Sequence, residues 1–252
     1  MKPVPLLTAH TGCMGAPDNS LFSIETAIQH EADLIEEDIL ITSDGVLVLS
    51  HDDLVHLADG TEVRISKTSY AELCRLDIQV HHGSSDETIR ILSLESVLPI
   101  VQASGKMMNL DIKSDACVEP VSRLIEGHGL VEHVILSGCQ KKRAHLVNNI
   151  NPQLRKLLNV DTSLFDTNPY TTAAQISCED AKSANCFGLN INYRYVRPEL
   201  LQLAASYGLA VYIWTVNEKE DMRHFMEMGV QSITSRNIAA LVKVKQERLT
   251  EI

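Results

Sequence analysis

Strand and helix signals alternate from one end of this chain to the other, and that alternation limits its fold more than any other feature. Apolar runs of strand length fall at residues 5–9, 34–42, 107–112, 133–137, 154–160, 209–216 and 230–234, with another inside 184–191. Between them lie stretches read as helices at 20–30, 94–102, 117–127, 140–149, a weak one at 170–177, then 198–207, 218–228 and 237–246. Ser20 is placed to cap the first of these, and Pro198 and Gly208 bracket another in the order that helix ends favour. Close to eight strand–helix units in 252 residues is the length of a (β/α)8 TIM barrel, an α/β fold. A doubly wound open sheet is the alternative, but no Gly-x-Gly-x-x-Gly follows the first strand.

Residues 52–91 break the pattern. They are polar, carry His81-His82 and a Gly83-Ser84-Ser85 turn, and hold one helix-like piece at 69–76. They read as a small insertion after the second strand, within one domain spanning 1–252. The net charge of -11 argues against nucleic acid or an anionic membrane surface as partner, but not against a small anionic ligand that needs only local positive charge. Six cysteines without metal-type spacing, no export signal in MKPVPLLTAH and no apolar run of membrane-spanning length lead to the expectation of a cytoplasmic protein with reduced thiols.

Chemistry concentrates where strands are expected to end, as it does in barrels. In Glu36-Glu37-Asp38 the first and third carboxylates share a strand face, and two acids that close call for a cation between them. Glu37 faces the other way, with no partner evident from sequence. A Ser43-Asp44-Gly45 turn and a short return strand over 46–50 bring His51 back beside the same strand end. His10 closes the first strand, and Asp111 and Lys113 share a face at the end of the third. Trp214, the only tryptophan, ends the seventh. A hard cation held by carboxylates, with one histidine to take a proton and another to give one, suits phosphodiester cleavage better than redox or acyl chemistry.

These residues fall in an order that resembles the glycerophosphodiester phosphodiesterase family. Its opening His-Arg-Gly is matched by His10-Thr11-Gly12, and its Pro-Glu-Asn-Thr by Pro17-Asp18-Asn19-Ser20. Its Glu-x-Asp, Thr-x-Asp-Gly and His-Asp block is matched by Glu36, Asp38, Thr42, Asp44, Gly45, His51 and Asp52. Leu92-Ser93-Leu94-Glu95 resembles its Pro-Thr-Leu-Glu, Asp111-Ile112-Lys113 its Glu-Ile-Lys, and Trp214-Thr215-Val216-Asn217 stands intact. The resemblance implies a barrel that hydrolyses glycerophosphodiesters to glycerol 3-phosphate and an alcohol. It implies His10 and His51 as the acid/base pair, and Glu36, Asp38 and Asp111 as ligands of a divalent metal, Mg or Ca. Lys113, Thr11, Asn19 and Trp214 are then expected to face the small-molecule substrate.

The departures are specific. The family's arginine after the first histidine, a phosphate contact, is Thr11, which has no charge and no bidentate fork. Asp18 and Asp111 each replace a glutamate, and the closing motif becomes Ser235-Arg236-Asn237-Ile238, bringing in an arginine expected to restore part of the missing charge. Two other functions stay open: a barrel that binds phosphodiesters without cleaving them, and a lyase or transferase that releases a cyclic phosphate. The insertion is open to a head-group role or to a contact in a homo-oligomer.

Overall fold

The computed structural model describes residues 4–80 and 88–250. Eight parallel strands close into a ring: β1 (Leu6–Ala9), β2 (Leu34–Ile41), β3 (Met107–Ile112), β4 (Val134–Ser137), β5 (Arg155–Asn159), β6 (Gly188–Asn192), β7 (Ala210–Trp214) and β8 (Ser232–Ser235). Closure is visible at β1, where Thr8 stands opposite Leu34 on one side and Thr234 on the other. The ring therefore leaves none of the eight as an open edge. Helices follow the strands on the outside: α1 (Leu21–Gln29), α2 (Leu94–Ser104), α3 (Val118–Gly127), α4 (Lys141–Ile150), α5 (Tyr170–Ser183), α6 (Pro198–Ser206), α7 (Lys219–Met228) and α8 (Ile238–Thr250). This is the expected (β/α)8 barrel.

Local sequence accounts for these elements. The Ser20 hydroxyl accepts the Ser23 amide at 3.1 Å, capping α1 as expected, and Ser93 does the same for α2. Val118, Val121, Ser122 and Ile125 form the buried stripe of α3 at helical spacing. α5 runs to Ser183, well past the weak helix read over 170–177. Its buried stripe is Ala173, Ala174, Ser177, Cys178 and Ala181, small residues that carry little hydrophobic signal.

The lumen explains where a site can form. Leu34, Ile135, Leu157 and Tyr212 pack together inside the barrel with Met107 and Phe187, an apolar plug at the strands' N-terminal ends. Two residues further along five strands, on the same face, stand Glu36, Asn109, Ser137, Asn159 and Trp214, all lining a cavity of about 510 Å³. The lumen thus changes from apolar to polar in a single step of the pleat.

The segment read as a return strand over 46–50 is Leu47–Leu49, antiparallel to β2 with Leu49 opposite Ile39. The insertion contains two small hairpins, Leu54–His56 with Glu62–Arg64 and Ile78–Gln79 with Thr88–Ile89, and a short helix, Tyr70–Leu73, where 69–76 was expected. Its Val55, Leu57, Ile65, Leu73, Ile78 and Ile91 make a second core on Leu40 and Val48, which anchors the insertion to the outer face of β2. His81-His82 and the Gly-Ser-Ser turn lie outside the described residues.

Candidate active site

Adjacent strands bring three carboxylates together. Glu36 and Asp38 project from β2 and Asp111 from β3, where Asp38 and Asp111 are direct register partners. One oxygen from each lies within 4.8 Å of the others, and Glu36 and Asp38 are buried. Burial first, then the Asp38 and Asp111 charges, push the Glu36 carboxyl well above its ordinary range. Asp111 is raised as well, by burial that outweighs the opposing Lys113 charge, and its Oδ1 has no hydrogen-bond partner. Three clustered acids, two of them buried and the third with an orphaned oxygen, are suited to a hard divalent cation. Lys113 supplies part of the counter-charge, its Nζ 2.8 Å from both Asp38 Oδ1 and Asp111 Oδ2. Burial works to lower the lysine's pKa, but Asp111 and Asp38 outweigh it and hold the ammonium charged.

The two histidines flank this cluster. His10 Nδ1 lies 2.8 Å from the Thr11 carbonyl and 3.7 Å from Glu36 Oε2. A carbonyl only accepts, so Nδ1 carries the hydrogen and Nε2 keeps its lone pair. Burial lowers the pKa of His10, an effect only partly offset by that carbonyl and reinforced by Arg236. His51 reaches the site because the Ser50 amide donates to the Asp38 carbonyl at 3.0 Å, clamping the return strand to the end of β2. Its Nδ1 is 2.9 Å from Asp52 Oδ1, which fixes the same ring tautomer.

Lys113 and Trp214 join the cavity as expected, but two of the expected substrate contacts lie elsewhere. Thr11 is buried, and its hydroxyl donates to Glu37 Oε2 at 2.8 Å while accepting the Asn19 amide at 2.7 Å. With His10 turned into the lumen, the next residue turns away from it. Thr11 is thus the partner that Glu37 lacked, and its side chain offers nothing to the cavity. Asn19 braces Asp38 instead, donating to Oδ2 at 3.3 Å and accepting the Asp38 amide at 3.2 Å. It lines a smaller cleft beside His51 rather than the main cavity.

Sequence reasoning also passed over several residues. Asn109, Ser137, Asn159, Asn190 and Thr234 complete the cavity wall, and neutral side chains inside a strand carry no signature of their own. Their alternation with apolar neighbours was the available clue. Arg143 of α4 binds the Ile112, Gly138 and Lys113 carbonyls and Asp115, so it holds the ends of β3 and β4 in place. Gly138, in the left-handed region at φ 69, has no room for a side chain because a Cβ would collide with Asp111 Oδ1 and the Ile112 backbone. Gly138→Ala is expected to cost about 2–4 kcal/mol of stability. It should also weaken divalent-ion binding by displacing Asp111; calorimetry of the folded fraction would check this.

Residues 10–240 match the Glycerophosphoryl diester phosphodiesterase family, a span that begins at His10, just past β1, and takes in β2 to β8. The chain belongs to this family. It is 27% identical to a glycerophosphodiester phosphodiesterase from Caldanaerobacter subterraneus subsp. tengcongensis, over 95% of this chain and 97% of that protein. It is 25% identical to one from Bacillus altitudinis at the same coverage of both chains. The fold is shared with an Oleispira antarctica phosphodiesterase solved in complex with the product sn-glycerol-3-phosphate, at TM-score 0.78 and 20% identity over 96% of this chain and 97% of that one. A glycerophosphodiester phosphodiesterase from Agrobacterium tumefaciens superposes at TM-score 0.77 with 17% identity, covering 95% and 99%. Among the described residues no helix is long and apolar enough to cross a membrane.

Proposed function

We propose that this protein hydrolyses glycerophosphodiesters to glycerol 3-phosphate and an alcohol, with a divalent metal, Mg or Ca, held by Glu36, Asp38 and Asp111. The observation that carries this reading is the placement of two imidazoles, each with Nδ1 committed to an acceptor and Nε2 left for a proton, on either side of a buried acidic cluster. When bound, such an ion supplies charge stabilisation at the phosphoryl oxygens.

The remaining work falls to side chains. His10, half-buried and with its Nε2 lone pair available, takes the proton from the attacking water. His51, whose ring is anchored by the Asp52 carboxylate at the open side of the cavity, returns a proton to the departing alcohol oxygen. Lys113 steadies the phosphate while bridging two of the carboxylates. Trp214 and the neutral amides of Asn109, Asn159 and Asn190 surround the space beyond the phosphate, where a polyol needs donors and acceptors rather than charge.

The test is phosphorus NMR of the product formed from glycerophosphocholine with Mg or Ca present. Hydrolysis yields a phosphomonoester signal from the start. Accumulation of a cyclic phosphodiester would instead make the protein a lyase, and binding without product would make it a non-catalytic receptor.

A further inference from the structure

The cavity must attract an anion, yet it is lined by five carboxylates: Asp18, Glu36, Asp38, Asp52 and Asp111. Among the described residues lining it, Lys113 and Arg236 are the two permanently charged cations. Lys113 already bridges Asp38 and Asp111. Arg236 differs. It follows β8, and barrel closure sets it beside His10, so the acidic cluster of β2 and β3 has Lys113 on one flank and Arg236 on the other. Asp18 takes one Nη1 donor at 2.6 Å and one Nη2 donor at 3.3 Å, out of the five N–H groups a guanidinium carries. The backbone beneath it is fixed too, since the Arg236 amide donates to Asn217 Oδ1 at 3.0 Å. Gly12 makes room for the pair: a Cβ there would collide with both Asp18 Oδ1 and Arg236 Nη1.

We propose that Arg236, aimed by Asp18, is the anion-binding arm of this cavity and receives a non-bridging oxygen of the phosphodiester. This inference rests on the phosphodiesterase reading for its substrate but not for its ligand chemistry. Asp18 is a positioning residue: it orients the fork and leaves the outer donors to the ligand. A lysine at position 236 would keep the charge and lose the fork.

The experiment compares wild type, Arg236→Gln, Arg236→Lys and Asp18→Asn by steady-state kinetics on glycerophosphocholine and by calorimetric titration with glycerol 3-phosphate, in saturating Ca. Loss of a charge-assisted contact corresponds to a fall in affinity of roughly tenfold to a hundredfold. Arg236→Gln is expected to show that fall in glycerol 3-phosphate affinity and a matching rise in KM, with kcat changed much less. Arg236→Lys should recover part of both, and Asp18→Asn should lie between wild type and Arg236→Gln. Melting temperatures separate this from a structural role. A lowered melting temperature in Arg236→Gln with unaltered KM and glycerol 3-phosphate affinity would overturn the inference. Arginine-dependent binding of glycerol 3-phosphate without turnover in wild type would uphold it and sink the hydrolytic reading alone.

Discussion

Glu36→Gln is expected to make the metal-free protein more stable while removing its turnover. Three carboxylates within 4.8 Å repel one another, and burial makes that repulsion costly. Glutamine keeps the shape and still accepts the Thr11 amide that now reaches Glu36 Oε2 at 3.1 Å. Relief of that repulsion is the expected result. For a domain of this size that raises the melting temperature by about 2–4 °C per kcal/mol. The pH dependence follows with a definite sign. A carboxyl whose folded pKa is raised contributes stability that is fully present below its unfolded value, and that contribution is lost as pH rises through the folded value. In chelator, wild type should therefore become less stable as pH rises from the ordinary glutamate range toward neutrality, and Glu36→Gln should show a flatter profile. Divalent ion should raise the melting temperature of wild type and do so far less in the variant. Thermal melts across pH, with chelator and with Ca, read all of this. A Glu36→Gln protein that is less stable than wild type in chelator would mean the cluster is a structural ion-pair network.

His10→Ala and His51→Ala are expected to lower kcat by about 10²–10⁴ each while leaving the metal-induced rise in melting temperature near that of wild type. The two should differ in stability. His10 is half-buried, hydrogen-bonded to the Thr11 carbonyl and close to Glu36, so its loss leaves a small cavity and an unpaired carbonyl. His51 is mostly exposed, two residues past the return strand, and its removal should cost little. Their kinetic effects should not add in the double variant, since a proton must be both taken and given for one turnover. Full activity in either single variant, measured against a panel of glycerophosphodiesters, would remove that histidine from the proton transfers.

The architecture was legible because strands and helices differ in apolar period, and because a parallel barrel spends about 30 residues on each repeat. The acidic cluster was legible for a related reason: Glu36 and Asp38 are two apart on a strand, and strand ends are where barrel side chains meet. What stayed hidden depends on closure and on turns. Asp18 and Arg236 are joined only because β8 returns to β1, and nothing local to either residue announces the other. Thr11 was expected at the substrate because it stands where the family has a phosphate-contacting arginine, yet the pleat that sends His10 inward sends Thr11 outward to Glu37. Asn19 was expected there as well, and its amide is spent holding Asp38. The neutral amides of the cavity wall were invisible for a different reason, since Asn109, Asn159 and Asn190 acquire meaning only when their strands lie side by side.

The measurement that bears most directly on metal-assisted, two-histidine cleavage is release of glycerol 3-phosphate from a panel of glycerophosphodiesters, with Mg or Ca, with chelator, and with His10→Ala in parallel. Turnover that disappears in chelator, returns with added ion and is absent in the variant is the predicted result. Turnover that persists in chelator, or in His10→Ala, would contradict the account.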